Sequence, residues 1–172
     1  MNNIEKVDDI DWNAWAPEQR ATLLFIFQGD KVLLIHKKRG LGAGKINAVG
    51  GRLDPGETAE IAAVRETEEE LCIHPVDIIS CGELSFQFVD GLSIHVTVFK
   101  TYRFTGIPAE TDEAKPVWFN IDDIPYDRMW ADDRLWVPLM LKDIYFTGRF
   151  IFDDDKMLDM KVVQVDKKKD IV

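Results

Sequence analysis

Residues 51–73, GRLDPGETAEIAAVRETEEELCI, form the most informative segment of the chain. The pattern predicts a helix over Thr58–Leu71, because its first residue is a favoured N-cap type and follows the turn sequence Asp54-Pro55-Gly56. Val64 and Leu71 recur at helical spacing and mark the face that packs on the domain. Half of the other residues of this helix are charged.

Three acids in this helix are placed where local physics disfavours them. Glu66, Glu69 and Glu70 are spaced i, i+3, i+4 and share one helical face. Like charges at that spacing cost about 0.2–0.5 kcal/mol per pair, and the helix dipole disfavours anions in the last turns. A hard divalent cation such as Mg²⁺, which takes carboxylate oxygens, would compensate. The alternative is a solvated acidic face on an acidic protein.

The spacing of this segment resembles the sequence box of the Nudix hydrolases. The matching positions, in register, are Gly51, Glu57, Arg65, Glu66, Glu68, Glu69 and Glu70. Thr67 stands where the family prefers an aliphatic residue, and Cys72 stands where it has glycine. Glycine is favoured in a left-handed helix cap, so Cys72 bears on the geometry of the helix end and not on a ligand position.

The resemblance implies an α+β fold, a mixed β-sheet sandwiched between helices, in which the box forms a loop–helix–loop. Nudix hydrolases cleave nucleoside diphosphates linked to another group, using Mg²⁺ or Mn²⁺. By position, Glu66, Glu69 and Glu70 correspond to metal ligands, and the Gly50 or Gly51 carbonyl is a further candidate. Glu57 and Arg65 correspond to supporting residues that orient the glutamates by ion pairing.

The family also implies a general base and a further acid from outside the box. A glutamate accepts the proton of the attacking water. Glu113, in ETDEAKPVW, occupies the place of the extra acid, both as a catalytic group and as a metal ligand; its alternative role is that of a surface glutamate. The choice of base among Glu66, Glu70 and Glu113 stays open.

Beyond the box, residues 22–165 resemble the oxidised purine nucleoside triphosphatases of this family, which hydrolyse 8-oxo-dGTP. The segments that carry this resemblance are KKRGLGAGKIN, ELSFQFVDG, ETDEAKPVWFNIDDIP and MWADDRLWVPLML. It implies that Asn47, Asp132 and Asp133 recognise the base and that Trp130 stacks on it. Two adjacent carboxylates in a dry pocket resist double ionisation, so one can keep a proton and donate while the other accepts.

Each of these residues has a structural alternative. The aspartate pair is also typical of a helix N-terminus, and Trp130 is equally suited to a core. Phe86 and Phe88 share a face of one strand and either line the base pocket or fill the core. Lys37 is a candidate phosphate contact or a solvated lysine. Three changes alter the pocket wall, since Leu41, Ile46 and Ala114 each replace a larger or aromatic residue of the subfamily.

The remaining pattern predicts one mixed domain with a lead-in and a tail. The predicted strands are Ala21–Phe27, Lys31–Ile35, Ile46–Val49, Val76–Leu84, Phe86–Val89, Ile94–Phe104, Val117–Asn120, Phe150–Phe152 and Met157–Val165. A second helix is predicted over Asp132–Asp143, with Pro138 in its first turns or at a kink. We expect residues 1–20 to be a lead-in pinned by Trp12 and Trp15, residues 21–165 to form the domain, and residues 166–172 to be a solvated tail.

Composition excludes several classes of partner. The 172 residues hold 31 acids and 21 Lys and Arg, a net charge of −10, which is unsuited to long nucleic acid. No apolar run reaches the roughly 18 residues of a membrane span, and the acidic N-terminus does not resemble a signal peptide. Cys72 and Cys81 make no disulfide framework, so we expect a cytoplasmic protein. We also expect no obligate protein partner.

The basic loop Lys37–Lys45 does not match a nucleotide-binding P-loop. That motif needs glycine where Arg39 stands and Ser or Thr where Ile46 stands.

The resemblance makes the leading functional hypothesis a Mg²⁺-dependent hydrolase that converts oxidised purine nucleoside triphosphates to the monophosphate and pyrophosphate. The alternatives are hydrolysis of unmodified nucleotides, ADP-ribose or dinucleoside polyphosphates, and a non-catalytic nucleotide sensor, which has no need of the complete glutamate set.

Overall fold

The computed structural model describes residues 3–166. Its strands are Gln19–Gln28 (β1), Lys31–Lys37 (β2), Ile46–Asn47 (β3), Val49–Arg52 (β4), His74–Val76 (β5), Ile79–Phe88 (β6), Ser93–Thr101 (β7), Arg103–Thr105 (β8), Ala114–Asn120 (β9), Phe146–Asp153 (β10) and Lys156–Gln164 (β11). The helices are Ala59–Leu71 (α1) and Asp133–Leu141 (α2), with short 3₁₀ turns at Val7–Asp9, Ile121–Asp123 and Tyr126–Arg128. The predicted tail, from residue 167 onward, lies outside the described residues.

The main sheet is mixed, as predicted, with the order β11-β10-β6-β7-β1-β2-β3. β1 pairs in parallel with β7, and β6 pairs in parallel with β10. β1 also changes partner along its length: Ala21–Leu24 pairs with β4, whereas Ile26–Gln28 pairs with β2. The change of partner falls near Phe25, and the part of β1 that pairs with β4 contributes Ala21, Thr22 and Leu23 to the lining of the cavity described below.

The two helices cover opposite faces of the sheet. Successive side chains of a strand point to opposite faces, and every side chain from Leu24 to Phe27 is buried. Leu24 and Ile26 pack in the core that holds Leu71 of α1. Phe25 and Phe27 pack in the core that holds Trp136 of α2. A strand that is buried on both faces is expected to have a nearly continuous apolar sequence, and the sequence of Ala21–Phe27 has this pattern.

The box helix begins and ends as predicted. Thr58 is its N-cap, and the Thr58 hydroxyl accepts a hydrogen bond of 3.3 Å from the Ile61 amide. Cys72 takes the left-handed conformation at the C-cap, φ 60°, and its N–H donates to the Glu68 carbonyl at 3.0 Å. Thr67 is buried, and its hydroxyl donates a hydrogen bond of 2.7 Å to the Ala63 carbonyl. The helix therefore accommodates both Thr67 and Cys72 without a break.

Several strand boundaries were predicted wrongly. The predicted strand Val76–Leu84 is broken, because Asp77 adopts φ 54°, and β6 then runs unbroken to Phe88 with a bulge between Ser80 and Gly82. Residues 94–104 form two strands, and β8 pairs with β5 in a separate small sheet. β10 is longer than predicted because Gly148 makes room for the Phe150 ring; a Cβ at Gly148 would lie 2.5 Å from that ring.

The second helix is shorter than predicted, since it ends at Leu141, and it keeps Pro138 inside. β1 begins at Gln19, two residues before the predicted start of the domain. None of the helices in the described part of the chain combines the length and apolar character needed to cross a bilayer.

Candidate active site

A cavity of about 550 Å³ lies beside the part of β1 that pairs with β4. Its walls come from β1, β2, β4, β6, α1 and the start of α2. Three glutamates gather at one end, and two aspartates, an amide and aromatic side chains gather at the other. The lining residues with a predicted role are Lys37, Asn47, Gly50, Gly51, Glu66, Glu70, Phe86, Phe88, Glu113, Trp130, Asp132 and Asp133. The fold thus brings residues from distant parts of the sequence to one cavity.

The acidic end is a group of three glutamates. Carboxylate oxygens of Glu66, Glu70 and Glu113 all lie within 4.8 Å of one another. Glu66 and Glu70 are one turn apart on α1, and Glu113 comes from the loop before β9. That loop is fixed by the Glu113 carbonyl, which accepts from the Lys38 amide at 3.0 Å. Three carboxylates this close repel one another unless a cation or protons offset the charge.

Burial makes this repulsion severe at Glu70, which is only 6% exposed. Burial raises the pKa of Glu70 to about 8, and the charges of Glu66 and Glu113 push it in the same direction. Burial also raises the pKa of Glu66. Among residues 3–166, no group hydrogen bonds to the Glu70 Oε2 atom. A buried carboxylate oxygen without a partner, beside two more carboxylates, fits a hard divalent cation such as Mg²⁺ or Mn²⁺.

The two glycines of β4 leave room for this group. A Cβ at Gly51 would lie 2.4 Å from the Glu66 carboxyl carbon, and a Cβ at Gly50 would lie 1.9 Å from the Thr22 carbonyl oxygen. Only residues without a side chain allow α1 and β1 to approach β4 this closely. A hydrogen bond from the Gly50 backbone lowers the pKa of Glu70 and ties this carboxylate to β4.

Arg65 orients the glutamates from the outer side of α1. Its guanidinium donates to both Glu57 oxygens at 2.7 and 2.8 Å, to Glu66 at 3.0 Å and to Glu69 at 3.2 Å. The hydrogen bonds from Arg65 lower the pKa of Glu57 to about 2. Glu57 in turn accepts from the Asp54 amide at 2.6 Å, which anchors the loop before the helix.

Glu69 is not part of the three-glutamate group. Its side chain is 55% exposed and pairs with Arg65 on the outer surface. The structure therefore separates the three box glutamates that the sequence places on one helical face. Glu66 and Glu70 turn into the cavity, and Glu69 stays on the solvent side of Arg65.

Two basic residues border the acidic end. Lys37 lines the cavity, and its burial lowers its pKa, while Glu70, Glu113 and Glu66 oppose that change. Arg39, from the Gly-rich loop, donates to Glu113 at 2.7 Å. Both cations offset part of the negative charge of the three glutamates.

The other end of the cavity holds two buried carboxyl groups and an amide. Asp132 is 1% exposed and Asp133 is 6% exposed. Asp132 Oδ2 accepts from the Trp136 indole at 2.8 Å, but no hydrogen bond in residues 3–166 reaches Asp132 Oδ1 or Asn47 Nδ2. An unpaired acceptor and an unpaired donor group that line the same cavity are suited to a polar ligand.

Burial raises the pKa of Asp132 to about 6, and burial together with the Asp132 charge raises the pKa of Asp133 well above its usual value. Asp132 is the N-cap of α2, yet its side chain makes no capping hydrogen bond. Asp132 therefore stands at the helix N-terminus and also lines the cavity, and its carboxylate does not cap the helix.

The aromatic residues serve the core and the cavity together. Trp130 meets Phe88 and Phe152 edge-on, with ring centroids 6.3 and 5.5 Å apart, and Phe86 stacks on Phe150 at 5.2 Å. Lys45 lies over the Trp130 ring, 5.2 Å from its centroid. The Gly-rich loop also packs on this ring, since a Cβ at Gly42 would lie 2.7 Å from the Trp130 indole nitrogen.

Comparison with known proteins agrees with this geometry. The NUDIX domain family model matches residues 17–140. The chain belongs to the Nudix family. An oxidized purine nucleoside triphosphate hydrolase from Danio rerio is 43% identical over 147 residues, covering 84% of this chain and 94% of that protein. The corresponding Mus musculus protein is 40% identical over the same shares. A crystal structure of a MutT protein from Bacillus halodurans superposes with a TM-score of 0.76 at 26% identity, covering 84% of this chain and 97% of that one.

Sequence reasoning missed two polar residues of this Nudix cavity. Thr22 is buried, and no hydrogen bond in residues 3–166 reaches its hydroxyl oxygen, although it lines the cavity. A lone threonine within the apolar run of β1 is the signal that could have identified it. Arg39 lies in the basic loop that fails the P-loop pattern, and its pairing with Glu113 depends on a contact between loops that no local pattern predicts.

Proposed function

We propose that this Nudix chain is a Mg²⁺-dependent pyrophosphohydrolase of oxidised purine nucleoside triphosphates such as 8-oxo-dGTP. One observation carries the proposal: a single cavity has a three-glutamate group at one end and the Asn47, Asp132 and Asp133 polar set at the other. The first suits a cation with phosphates, and the second suits a purine whose donors and acceptors have been rearranged by oxidation. The names of the Danio rerio and Mus musculus relatives support the same substrate.

At the acidic end, Glu66, Glu70 and Glu113 hold the cation, and the Gly50 or Gly51 carbonyl is a further ligand. When bound, the cation neutralises phosphate oxygens and lowers the pKa of water. Arg65 and Glu57 keep Glu66 in place through their ion pairs. Lys37 contacts the phosphates. One of Glu66, Glu70 and Glu113 takes the proton of the attacking water, and the three carboxylates are close enough that each is a candidate base.

At the base end, the purine stacks on Trp130 between the walls that Phe86 and Phe88 form. One carboxyl of the Asp132–Asp133 pair keeps its proton and donates, the other accepts, and Asn47 supplies an amide that can do either. An unmodified purine presents a different donor and acceptor pattern and leaves buried groups unpaired. We therefore infer that the enzyme prefers the oxidised base, acts on free nucleotides and works in the cytoplasm, where Cys72 and Cys81 stay reduced.

Product analysis tests the reaction type. The protein is incubated with 8-oxo-dGTP and Mg²⁺, and the products are separated by ion-exchange chromatography. We expect the monophosphate and pyrophosphate in equal amounts, with no turnover after chelation of the metal. Release of orthophosphate and the diphosphate, or turnover that persists in chelator, would overturn the proposal.

A further inference from the structure

The segment before β1, residues 3–18, lies against the sheet as an ordered structure of its own. Its 3₁₀ turn at Val7–Asp9 is closed by Asp9, whose carboxylate accepts from the Glu5 and Lys6 amides at 3.0 and 2.9 Å. The Trp12 indole donates to the Val7 carbonyl at 2.8 Å and so folds the segment back on itself. We refer to residues 3–18 as the N-terminal brace.

The brace is anchored to the outer strands of the sheet. The Val7 amide donates to the Asp159 carboxylate of β11 at 2.8 Å, and Val7 itself is buried. The Arg149 guanidinium of β10 lies 5.2 Å from the centroid of the Trp12 ring, and Trp12 packs on Trp15 at 5.2 Å. These contacts involve β10 and β11, so they do not by themselves reach the cavity.

The second half of the brace hydrogen bonds to β6 and to the turn after it, which form the apolar wall of the cavity. The Trp15 indole donates to the Gln87 side-chain oxygen at 2.9 Å. The Gln87 amide nitrogen donates to the carbonyls of Phe88 and Leu92 at 3.0 and 3.3 Å, which closes the turn after β6. The Glu18 amide donates to the hydroxyl of buried Ser93 at 2.8 Å, on the far side of the same turn.

Strand geometry connects these contacts to the cavity. Neighbouring residues of a strand point to opposite faces, so Gln87 faces the brace while Phe86 and Phe88 face the cavity. Leu92, whose carbonyl Gln87 holds, also lines the cavity. The hydrogen bond from Trp15 to Gln87 therefore restrains Phe86 and Phe88 from the face of the strand opposite the cavity.

We propose that the N-terminal brace is a positioning element for the base end of the cavity, acting through Trp15–Gln87 and Glu18–Ser93. It fixes the wall formed by Phe86, Phe88 and Leu92 and so raises affinity for the purine without touching the ligand. The inference rests on the proposed function, because that cavity is the proposed nucleotide site.

The test compares Trp15→Phe with the matched control Trp12→Phe in the full chain. Each removes one indole N–H hydrogen bond and keeps an aromatic ring, but only the Trp15 bond reaches β6. Since one such bond contributes a few-fold to an equilibrium, we expect Trp15→Phe to raise the KM for 8-oxo-dGTP about fivefold. The kcat and the Mg²⁺ concentration for half-maximal rate stay within about twofold, because the brace does not reach the acidic end. Trp12→Phe leaves the KM unchanged.

Amide hydrogen exchange of the nucleotide-free protein gives a second readout that does not depend on activity. We expect faster exchange in residues 88–93 of Trp15→Phe and unchanged exchange there in Trp12→Phe. Equal KM values for the two variants, together with equal exchange in residues 88–93, would overturn the proposal. If Trp15→Phe does not fold, Ser93→Ala replaces it in the test, because it removes the hydrogen bond between the Glu18 amide and the Ser93 hydroxyl. The KM and the hydrogen exchange of residues 88–93 are then compared in the same way. A wild-type protein that does not hydrolyse 8-oxo-dGTP would refute the proposed function alone, since the exchange comparison would still test the brace.

Discussion

Replacing Gly51 with alanine perturbs the acidic end by a single methyl group. In the structure a Cβ at this position lies 2.4 Å from the carboxyl carbon of Glu66 and 2.6 Å from both of its oxygens. Ordinary carbon contacts need about 3.5 Å, so the Glu66 carboxyl has to move by about 1 Å. The Gly51 backbone is not in the left-handed region, so alanine adds no strain to the main chain.

The size of the movement sets the expected effect. Cation–oxygen distances tolerate only about 0.2 Å, so a 1 Å displacement removes Glu66 from the ligand set. Loss of one of three carboxylates is expected to lower kcat/KM about 100-fold, which corresponds to about 2.7 kcal/mol of transition-state stabilisation. The overlap involves the end of a flexible side chain, and the free energy of unfolding should therefore change by less than about 1 kcal/mol.

The assay is steady-state hydrolysis of 8-oxo-dGTP over a Mg²⁺ titration, with urea unfolding as the check on stability. We expect Gly51→Ala to raise the Mg²⁺ concentration for half-maximal rate and to lower the maximal rate. The control is Glu66→Gln alone and combined with Gly51→Ala: because both changes remove the same ligand, the double variant should be no slower than Glu66→Gln. A Gly51→Ala enzyme with unchanged kcat/KM and Mg²⁺ dependence would refute the placement of Glu66.

Four further outcomes are expected. Glu70→Gln should lower kcat at least tenfold more than Glu69→Gln, because Glu70 lies in the three-glutamate group and Glu69 pairs with Arg65 outside it; equal losses in the same assay would count against the group. In chelator, Glu70→Gln should gain stability relative to wild type as pH rises from 5 to 8, because over this range the Glu70 carboxyl is ionised in the unfolded chain but keeps its proton in the folded protein, where its pKa is raised to about 8; urea unfolding that gives a constant difference would contradict this. Asp132→Asn should lower kcat/KM for 8-oxo-dGTP about 10- to 100-fold, mainly through KM, and leave the Mg²⁺ dependence unchanged; steady-state kinetics that show no loss would argue against base recognition by Asp132. Cys72→Gly should raise the free energy of unfolding by about 1 kcal/mol without changing kcat, because Cys72 holds φ 60° at the helix C-cap, and urea unfolding that shows a loss would refute this account of the cap.

The box helix could be predicted from the sequence because its signals are local. The N-cap, the apolar spacing and the register of charged residues all lie within one segment, and they placed Glu66 and Glu70 on one face. The same reasoning could not separate Glu69 from them. Glu70 and Glu69 lie about 40° and 60° to either side of Glu66 around the helix, and which side is buried depends on where β4 packs.

The parts that sequence reasoning could not reach depend on contacts between distant segments. The change of partner that β1 makes near Phe25 has no local signature in an apolar strand. β10 passes through Gly148, which looks like a break in sequence but accommodates the Phe150 ring, and β6 continues past Leu84 to Phe88 as the partner of β10. The pairing of Arg39 with Glu113 and that of Trp15 with Gln87 likewise arise only once the chain has folded.

The ratio of kcat/KM for 8-oxo-dGTP to that for dGTP, measured in Mg²⁺ with the wild-type protein, tests the central claim most directly. The claim is that Asn47, Asp132 and Asp133 select an oxidised purine while the three glutamates direct cleavage. A site that pairs its buried polar groups only with the oxidised base should favour it at least tenfold. A ratio at or below one would contradict base selection by this cavity.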